Sequence, residues 1–204
     1  MGIADFGLPR ALVEYLATEH KLASFFETGT YYGESSAWAA QRFAAVKTIE
    51  RSPIQHAMAR VNLAPFANVV LALGDSRTLL AQALPGLPPT LFWLDAHWCG
   101  GHTAGELDAE CPLLEELELL APELDRHFVL IDDARLFAMP PPLPHSAAAW
   151  PDLAAIFDVL RSRHEPYITV YRDVIIVVPA HAKPGLVAYL QGSLPETGTV
   201  ATGA

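Results

Sequence analysis

Short apolar runs alternate with longer segments of helical periodicity along most of the chain. The apolar runs are nearly continuous, which is typical of strands that are buried on both faces of a sheet. They predict seven strands, at residues 23–27, 46–50, 68–73, 91–94, 128–131, 167–171 and 174–178. Arg172 and Asp173 separate the last two runs and predict a two-residue hairpin turn.

The segments between the strands have the apolar spacing and the capping residues of helices. Helices are predicted over residues 9–20, 34–45, 76–84 and 151–163, and also after Ser52-Pro53 and after Pro112. The apolar residues of the helix after Pro112 are expected to face inward: Leu113, Leu114, Leu117, Leu120 and Ala121. Its acidic residues are expected to face solvent: Glu115, Glu116 and Glu118.

This alternation of strands and helices predicts an α/β fold of the doubly wound type. The expected sheet has seven strands, is mainly parallel, ends in an antiparallel C-terminal strand, and carries helices on both faces. One Rossmann-like domain is expected over residues 1–190, with an N-terminal helix region at 1–21. Residues 191–204 are expected to form a flexible tail.

The charge balance excludes several classes of partner. Among 204 residues, 23 are acidic and 13 are lysine or arginine, which gives a formal net charge of −10. Such a chain lacks the basic surface that non-specific nucleic-acid binding requires. No apolar run reaches the ~18 residues of a membrane span, and the first residues lack the features of a secretory signal. We therefore expect a cytoplasmic protein that binds neither nucleic acid nor membranes.

Acidic residues follow five of the predicted strands, at the point where each strand ends. They are Glu27, Glu50, Asp75, Asp95 and the pair Asp132-Asp133. A single acid at such a position can simply cap the following helix. However, the carboxyl ends of parallel strands meet at one edge of a sheet, where doubly wound folds bind their ligands. The repeated pattern therefore favours a ligand crevice.

A turn with two glycines follows the first strand, with the sequence Glu27-Thr28-Gly29-Thr30-Tyr31-Tyr32-Gly33. Glycine permits a tight turn and lets a ligand approach the backbone closely. The Gly-x-Gly-x-x-Gly fingerprint of dinucleotide-binding folds is absent, which disfavours a pyrophosphate ligand. Taken alone, the turn is equally compatible with an ordinary connection between a strand and a helix.

Three motifs follow one another along the chain: this turn, Glu50 and Gly74-Asp75-Ser76. Because of their order and spacing, residues 22–180 resemble the class I S-adenosylmethionine-dependent methyltransferases. The resemblance implies that four residues of the turn lie at the methionine end of the cofactor: Glu27, Gly29, Thr30 and Gly33. It also implies that Glu50 binds the ribose. Asp75 and Ser76 would lie beside the adenine, and Asp95 would lie near the methyl group and the substrate.

A second, narrower resemblance concerns the acids after the fourth and fifth strands. Metal-dependent O-methyltransferases similar to the catechol type place one aspartate after strand four and an acid pair, or Asp-Asn, after strand five. Asp95, Asp132 and Asp133 occupy these positions, and their oxygen atoms suit Mg²⁺ or Ca²⁺. Those enzymes usually have a lysine just after the first aspartate, which is missing here. The alternative is that Asp132 or Asp133 caps the following turn and no ion binds.

His97 is the candidate that replaces the missing lysine as the general base. The ordinary pKa of histidine, near 6.5, allows its imidazole to accept a proton at neutral pH. The alternative is that His97 hydrogen-bonds Asp132 or Asp133 and only orders the site. His97 also begins a group of zinc-type donors that lacks the usual paired spacing: His97, Cys99, His102 and Cys111.

The proline-rich segment 134–150 follows the fifth strand and would pass over the crevice. It is expected to be either a substrate lid that bears Arg135, His145 and Trp150 or a stiff surface connection. Arg135, which follows two acids, is expected to form a salt bridge.

These residues predict an enzyme that transfers a methyl group from S-adenosylmethionine to a hydroxyl oxygen of a small molecule. A divalent metal such as Mg²⁺ at Asp95, Asp132 and Asp133 would lower the pKa of that hydroxyl, and His97 would accept its proton. Two alternatives stay open, a metal-dependent hydrolase that uses the same Asp/His cluster and a non-catalytic module that binds S-adenosylmethionine. The sequence identifies neither the acceptor nor the oligomeric state, for which a homodimer is one candidate.

Overall fold

The computed structural model of the protein describes residues 7–97 and 110–193. Seven strands form one sheet: β1 Ser24–Thr28, β2 Ala45–Glu50, β3 Val69–Leu73, β4 Thr90–Leu94, β5 Phe128–Ile131, β6 Tyr167–Tyr171 and β7 Val174–Val178. Their order is β3-β2-β1-β4-β5-β7-β6. Strands β1 to β5 pair in parallel, and β7 lies antiparallel between β5 and β6. The predicted fold class is therefore confirmed.

The described α-helices are α1 Arg10–Glu19, α2 Glu34–Ala39, α3 Pro53–Leu63, α4 Ser76–Ala83, α5 Leu113–Leu120, α6 Ala134–Ala138, α7 Leu153–Leu160 and α8 Lys183–Ser193. Short 3₁₀ helices occur at Ala121–Glu123, Ala147–Ala149 and Ala180–Ala182. None of the helices in the described ranges is long and apolar enough to cross a membrane.

Apolar side chains cover both faces of the sheet. Successive strand residues point to opposite faces, so Phe25 belongs to one core cluster and Phe26 to the other. The first cluster packs beneath α1, α2 and α8, and the second beneath α4, α5 and α7. This arrangement confirms the prediction of helices on both faces, and it leaves the carboxyl-terminal edge of the sheet free to form a site.

Helix α2 is shorter than predicted, because it ends at Ala39 rather than at residue 45. The side-chain amide of Asn68 donates hydrogen bonds to the carbonyl oxygens of Ala40 (2.8 Å) and Phe43 (2.9 Å). Residues 40–44 therefore form a turn that leads into β2. A contact from a residue so distant in sequence carries no signal in the local hydrophobic pattern.

Helix α8 was not predicted, and it ends at Ser193, inside the segment expected to be a flexible tail. It contains Pro184 and Gly185 in its first turn, where proline is well tolerated. Gly185 allows a close approach to α1, since a Cβ there would lie 2.8 Å from the Tyr15 hydroxyl. The rings of Tyr15 and Tyr189 stack with centroids 4.3 Å apart. Residues 194–204 lie outside the described part of the chain.

The predicted hairpin turn between β6 and β7 is confirmed. Arg172 and Asp173 both have positive φ angles, 49° and 70°, as in the type I′ turns that join two-residue hairpins. The Asp173 side chain accepts a hydrogen bond from the Arg135 backbone N–H at 2.8 Å, and its carbonyl oxygen accepts one from Ala134 N–H at 2.8 Å. The hairpin is thereby joined to α6, which begins just after the acid pair of β5.

Candidate active site

The ends of the central strands are held together at one edge of the sheet. Backbone hydrogen bonds continue past the strands, from Asp95 N to Thr28 O at 2.9 Å and from Asp132 N to Leu94 O at 3.1 Å. Because β1, β2, β4 and β5 are parallel neighbours, the acids that follow them gather there, as the sequence predicted. The same edge carries the glycine turn between β1 and α2.

The glycine turn requires glycine at residue 29. Gly29 has a φ of +85°, and a Cβ at this position would lie 2.1 Å from the carbonyl oxygen of Asp95. Gly33 has a φ of +81°, and a Cβ there would lie 3.0 Å from the side chain of Leu63 in α3. The turn is therefore packed tightly against both the end of β4 and α3. Thr30, between the two glycines, is buried and shares a 2.6 Å hydrogen bond with Thr48.

Glu27 is completely buried beneath the turn. The hydroxyl groups of Ser35, Ser36 and Thr48 donate hydrogen bonds to its carboxylate. Burial raises the pKa of Glu27 to about 7, although these three hydroxyls act in the opposite direction. In this arrangement Glu27 joins β1, β2 and the start of α2, and its predicted contact with the cofactor stays a prediction.

Glu50, the last residue of β2, hydrogen-bonds both the glycine turn and the backbone just after β2. One of its carboxylate oxygens accepts a hydrogen bond from Tyr31 N–H and the other from Ser52 N–H, each at 2.8 Å. A carboxylate oxygen has more than one lone pair, so each can still accept a ligand hydroxyl. Glu50 is mostly buried, which makes these hydrogen bonds stronger than at an exposed position.

Asp75 and Ser76, predicted beside the adenine, turn toward α5. Asp75 caps α4 and binds Arg77 through both carboxylate oxygens, at 2.9 and 2.7 Å. These hydrogen bonds from Arg77 lower the pKa of Asp75. Arg77 also pairs with Glu115 at 3.2 Å, and the Ser76 hydroxyl hydrogen-bonds Glu116. Two consecutive residues of α5, Glu115 and Glu116, thus contact the first two residues of α4, Arg77 and Ser76.

Glu116 is a site residue that the sequence analysis placed wrongly, on the solvent face of α5. It is 1% exposed and accepts a hydrogen bond from Thr28, the last residue of β1. Its other oxygen, Oε1, is buried and has no partner in the described residues. Burial raises the pKa of Glu116 to about 7. The spacing contained a signal, since Glu116 is three residues from Leu113 and four from Leu120, on the buried face.

A cleft of about 450 Å³ opens beside the glycine turn. Its lining includes residues 29–32 of the turn, Asp95 at the end of β4, and Gly7, Leu8 and Arg10 at the start of α1. The turn and Asp95 were predicted to lie at a ligand site, whereas no such role was predicted for Arg10. The two tyrosines of the turn stand together with ring centroids 3.9 Å apart.

His97 lies between the acids that follow β4 and β5. Its Nε2 donates a hydrogen bond to Asp133 Oδ2 at 2.7 Å, and its Nδ1 is 3.7 Å from Asp95 Oδ1. Burial alone would lower the pKa of His97, but the hydrogen bond to Asp133 and the charge of Asp95 raise it above its ordinary value. Burial and the charge of Asp133 raise the pKa of Asp132 to about 6.

Arg135 forms the predicted salt bridge, with Asp133 at 2.6 Å and with Asp173. Although burial acts in the opposite direction, His97 and Arg135 lower the pKa of Asp133. Asp133 has a positive φ of 56° and directly precedes α6. The result is a row of alternating charge that runs from His97 through Asp133 and Arg135 to Asp173.

Two buried residues hold the segment 134–150 over His97. The indole Nε1 of Trp150 donates a 2.8 Å hydrogen bond to Glu110, which also accepts from Ser146 N–H at 3.2 Å. The Trp150 ring lies 5.3 Å from the ring of His97 and 5.2 Å from that of His145. The segment is therefore connected to His97 through the ring of Trp150.

The zinc hypothesis falls largely outside the described residues, which include neither Cys99 nor His102. Burial raises the pKa of the Cys111 thiol to about 12. Across residues 7–97 and 110–193, no group of three or more His, Cys, Asp or Glu side chains is arranged to hold a metal ion.

Comparisons with known proteins connect this fold to methyltransferases. No family profile and no curated protein matches the sequence. Three of the similar solved structures are O-methyltransferases. TomG from Streptomyces achromogenes, in complex with S-adenosylmethionine, is 19% identical with a TM-score of 0.53, over 85% of this chain and 80% of TomG. A putative caffeoyl-CoA O-methyltransferase from Staphylococcus aureus is 14% identical with a TM-score of 0.58, over 87% and 86%. An O-methyltransferase from Bacillus cereus, in complex with S-adenosylhomocysteine, is 16% identical with a TM-score of 0.54, over 84% and 82%.

At sequence identities of 14%, 16% and 19%, the similarity to these three structures shows the fold alone. The strand order 3-2-1-4-5-7-6 with an antiparallel seventh strand, together with these alignments over most of each chain, agrees with the resemblance found in the sequence motifs. The chain therefore has the fold of the class I S-adenosylmethionine-dependent methyltransferases.

Proposed function

We propose that the chain transfers a methyl group from S-adenosylmethionine to a hydroxyl oxygen of a small molecule. The observation that carries this proposal is the cleft of about 450 Å³, which is lined by the glycine turn, by Asp95 and by residues around the start of α1. TomG and the Bacillus cereus enzyme were solved in complex with the methyl donor and its demethylated product. Their likeness to this chain supports a cofactor site at the same edge of the sheet.

The residues at this edge suit that cofactor. S-adenosylmethionine supplies a methyl group on a cationic sulfonium, and the carbon–sulfur bond breaks toward sulfur as the new carbon–oxygen bond forms. Glu50 offers acceptor oxygens for the ribose hydroxyl groups. Two acids, Asp95 and Glu34, line the cleft against one basic residue, Arg10, and a sulfonium prefers such an excess of acidic groups. We retain Gly29, Thr30 and Gly33 at the methionine end and Asp75 and Ser76 near the adenine as parts of the proposal.

Asp95 is the proposed acceptor of the hydroxyl proton. Its side chain is 35% exposed and lines the cleft, whereas the Nε2 of His97 is already bound to Asp133. Burial and the charge of Asp132 raise the pKa of Asp95, with His97 acting against them, which makes Asp95 a stronger base than an ordinary aspartate. The sequence also suggested His97 as the base, and that role stays a prediction. In this proposal Asp95 accepts the proton and His97 lies next to it.

Replacing Glu50 by alanine is expected to weaken binding of S-adenosylhomocysteine by roughly 30-fold, about 2 kcal/mol. The substitution removes the acceptor for Tyr31 N–H and Ser52 N–H as well as the proposed ribose contact. Isothermal titration calorimetry of the wild type and the variant measures the change. Glu14→Ala is the matched control, because Glu14 is an exposed carboxylate that pairs with Arg42 on the surface. Equal affinity in Glu50→Ala and Glu14→Ala would remove Glu50 from the cofactor site.

Two measurements test the proposed function itself. Calorimetry that finds no affinity for S-adenosylmethionine or S-adenosylhomocysteine would overturn it and would favour the hydrolase alternative. Tritium-labelled S-adenosylmethionine, incubated with phenols, catechols and aliphatic alcohols, reports methyl transfer. A protein that binds the cofactor but labels no acceptor in such a panel would match the non-catalytic module instead.

A further inference from the structure

The acids after β4 and β5 already have cationic partners. His97 and Arg135 each take one oxygen of Asp133, at 2.7 and 2.6 Å. One oxygen of Asp132 accepts a hydrogen bond from the backbone N–H of Asp133 at 2.8 Å. The oxygens that a divalent ion would need are therefore partly occupied by donors of the chain itself.

The position of the His97 ring also conflicts with a bound ion. Its two nitrogens face Asp95 and Asp133, at 3.7 and 2.7 Å, so the ring occupies the space between the two carboxylates. Ca²⁺ requires six to eight oxygens at about 2.3–2.6 Å, and Mg²⁺ requires an octahedron at about 2.0–2.1 Å. The described residues do not fit either ion in this arrangement.

His97 and Arg135 are fixed in place from outside the acid group. Trp150 packs against the His97 ring and is itself held by Glu110. Arg135 is bound by Asp173 of the β6–β7 hairpin, whose side chain is buried. The His97 ring, which is 7% exposed, has little freedom to move aside for a metal because buried side chains are closely packed. Arg135 is more exposed and is held by its ion pairs with Asp133 and Asp173.

We propose that His97 and Arg135 take the place of a divalent cation at Asp95, Asp132 and Asp133, so that this site binds and reacts without a metal. The inference rests on the proposed function for what the site does, but its evidence is the hydrogen bonding around Asp133. His97 is a positioning residue in this arrangement. It hydrogen-bonds Asp133 through Nε2 and faces Asp95 with Nδ1, so that it places a positive charge between these two acids.

Metal titration of the protein without cofactor tests this inference. Wild-type protein is expected to show no saturable binding of Mn²⁺, followed by electron paramagnetic resonance, below about 1 mM. EDTA is expected to leave its melting temperature and its affinity for S-adenosylhomocysteine unchanged. Micromolar Mn²⁺ binding by the wild type, or loss of methyl transfer in EDTA that Mg²⁺ restores, would overturn the inference.

Variants of His97 test whether removing the imidazole lets the acids bind a metal. His97→Asn releases Asp95 and Asp133, so it is expected to melt lower in EDTA, to recover with Mg²⁺, and to bind Mn²⁺ at least about 10-fold more tightly than the wild type. His97→Lys keeps a cation and is expected to gain no metal affinity. A His97→Asn protein that melts like the wild type and gains no Mn²⁺ binding would contradict the inference.

The results of these metal experiments can be distinguished from the results of the tests of the proposed function. Should His97→Asn fail to fold, the wild-type Mn²⁺ titration and the EDTA experiment still decide the question. Absence of S-adenosylhomocysteine binding would overturn the proposed function, whereas the metal titrations, which use the protein alone, would still report on His97 and Arg135.

Discussion

Replacing Gly29 by alanine is expected to weaken the binding of S-adenosylhomocysteine by about 100-fold or more, because the turn must move on the order of 1 Å. The added Cβ would lie 2.1 Å from Asp95 O and 2.9 Å from Ala96 Cα. Both are backbone atoms, which cannot rotate away as a side chain could. The end of β4 and the glycine turn would have to separate, and both of them line the proposed cofactor site. Isothermal titration calorimetry measures the loss.

Gly86→Ala is the matched control, because it has the same unfavourable backbone conformation without the steric clash. Gly86 has nearly the same φ, +82° against +85° for Gly29, yet a Cβ there meets no atom within 4 Å. Both substitutions therefore cost the roughly 1 kcal/mol of an unfavourable positive φ, but only Gly29→Ala disturbs the crevice. Gly86→Ala is expected to lower the melting temperature slightly and to bind the cofactor normally. A Gly29→Ala protein that binds as tightly as Gly86→Ala would contradict the proposed position of the site.

Raising the pH from 5 to 8 is expected to destabilise the protein through its buried glutamates, and Glu116→Gln is expected to remove a large part of that loss. Burial raises the pKa of Glu116 from the ordinary 4.5 to about 7. Because the folded protein then holds this proton more tightly than the unfolded chain, the contribution of Glu116 to stability is greatest below pH 4.5 and is lost as the pH rises through about 7. A shift of this size corresponds to roughly 3 kcal/mol, or a change in melting temperature on the order of 10 °C.

Thermal melts across this pH range test the prediction. Glutamine keeps the shape of the protonated carboxyl group and cannot ionise, so Glu116→Gln should melt higher than the wild type at pH 8 and differ little at pH 5. Glu115→Gln is the matched control, because Glu115 precedes Glu116 on α5 but its side chain is 50% exposed. Parallel pH profiles for the two variants would show that Glu116 is not the group responsible. Glu27, whose pKa burial also raises to about 7, accounts for a further fall that both variants retain.

The strands and the acidic edge could be predicted because their signals are local. Strands such as Thr90–Leu94 and Phe128–Ile131 are short apolar runs, and the acid that follows each of them is adjacent in sequence. Parallel pairing then brings these ends together without any further information. The predicted helices for α1, α4, α5 and α7 follow in the same way from their apolar spacing.

The residues that the sequence analysis missed depend on contacts between distant segments. Glu116 is a typical surface residue by type, and only its hydrogen bonds to Thr28 and Ser76 explain its burial. A hydrogen bond from His97 to Asp132 or Asp133 was one of the two alternatives that the sequence allowed, and the structure shows it at Asp133; the local pattern could not choose between the two acids. Binary patterning records how often apolar residues recur, but not which polar group a buried polar side chain will meet.

The antiparallel seventh strand also has a consequence for biosynthesis. Strand β7 is buried at every residue and lies between β5 and β6. As the chain emerges from the ribosome with β1 to β6 complete, β5 still presents an unpaired edge and β6 has no neighbour in the sheet. Such an edge invites pairing with other chains. The sheet therefore closes only after residue 178 has been made, and a chain that stops before it is expected to aggregate rather than fold.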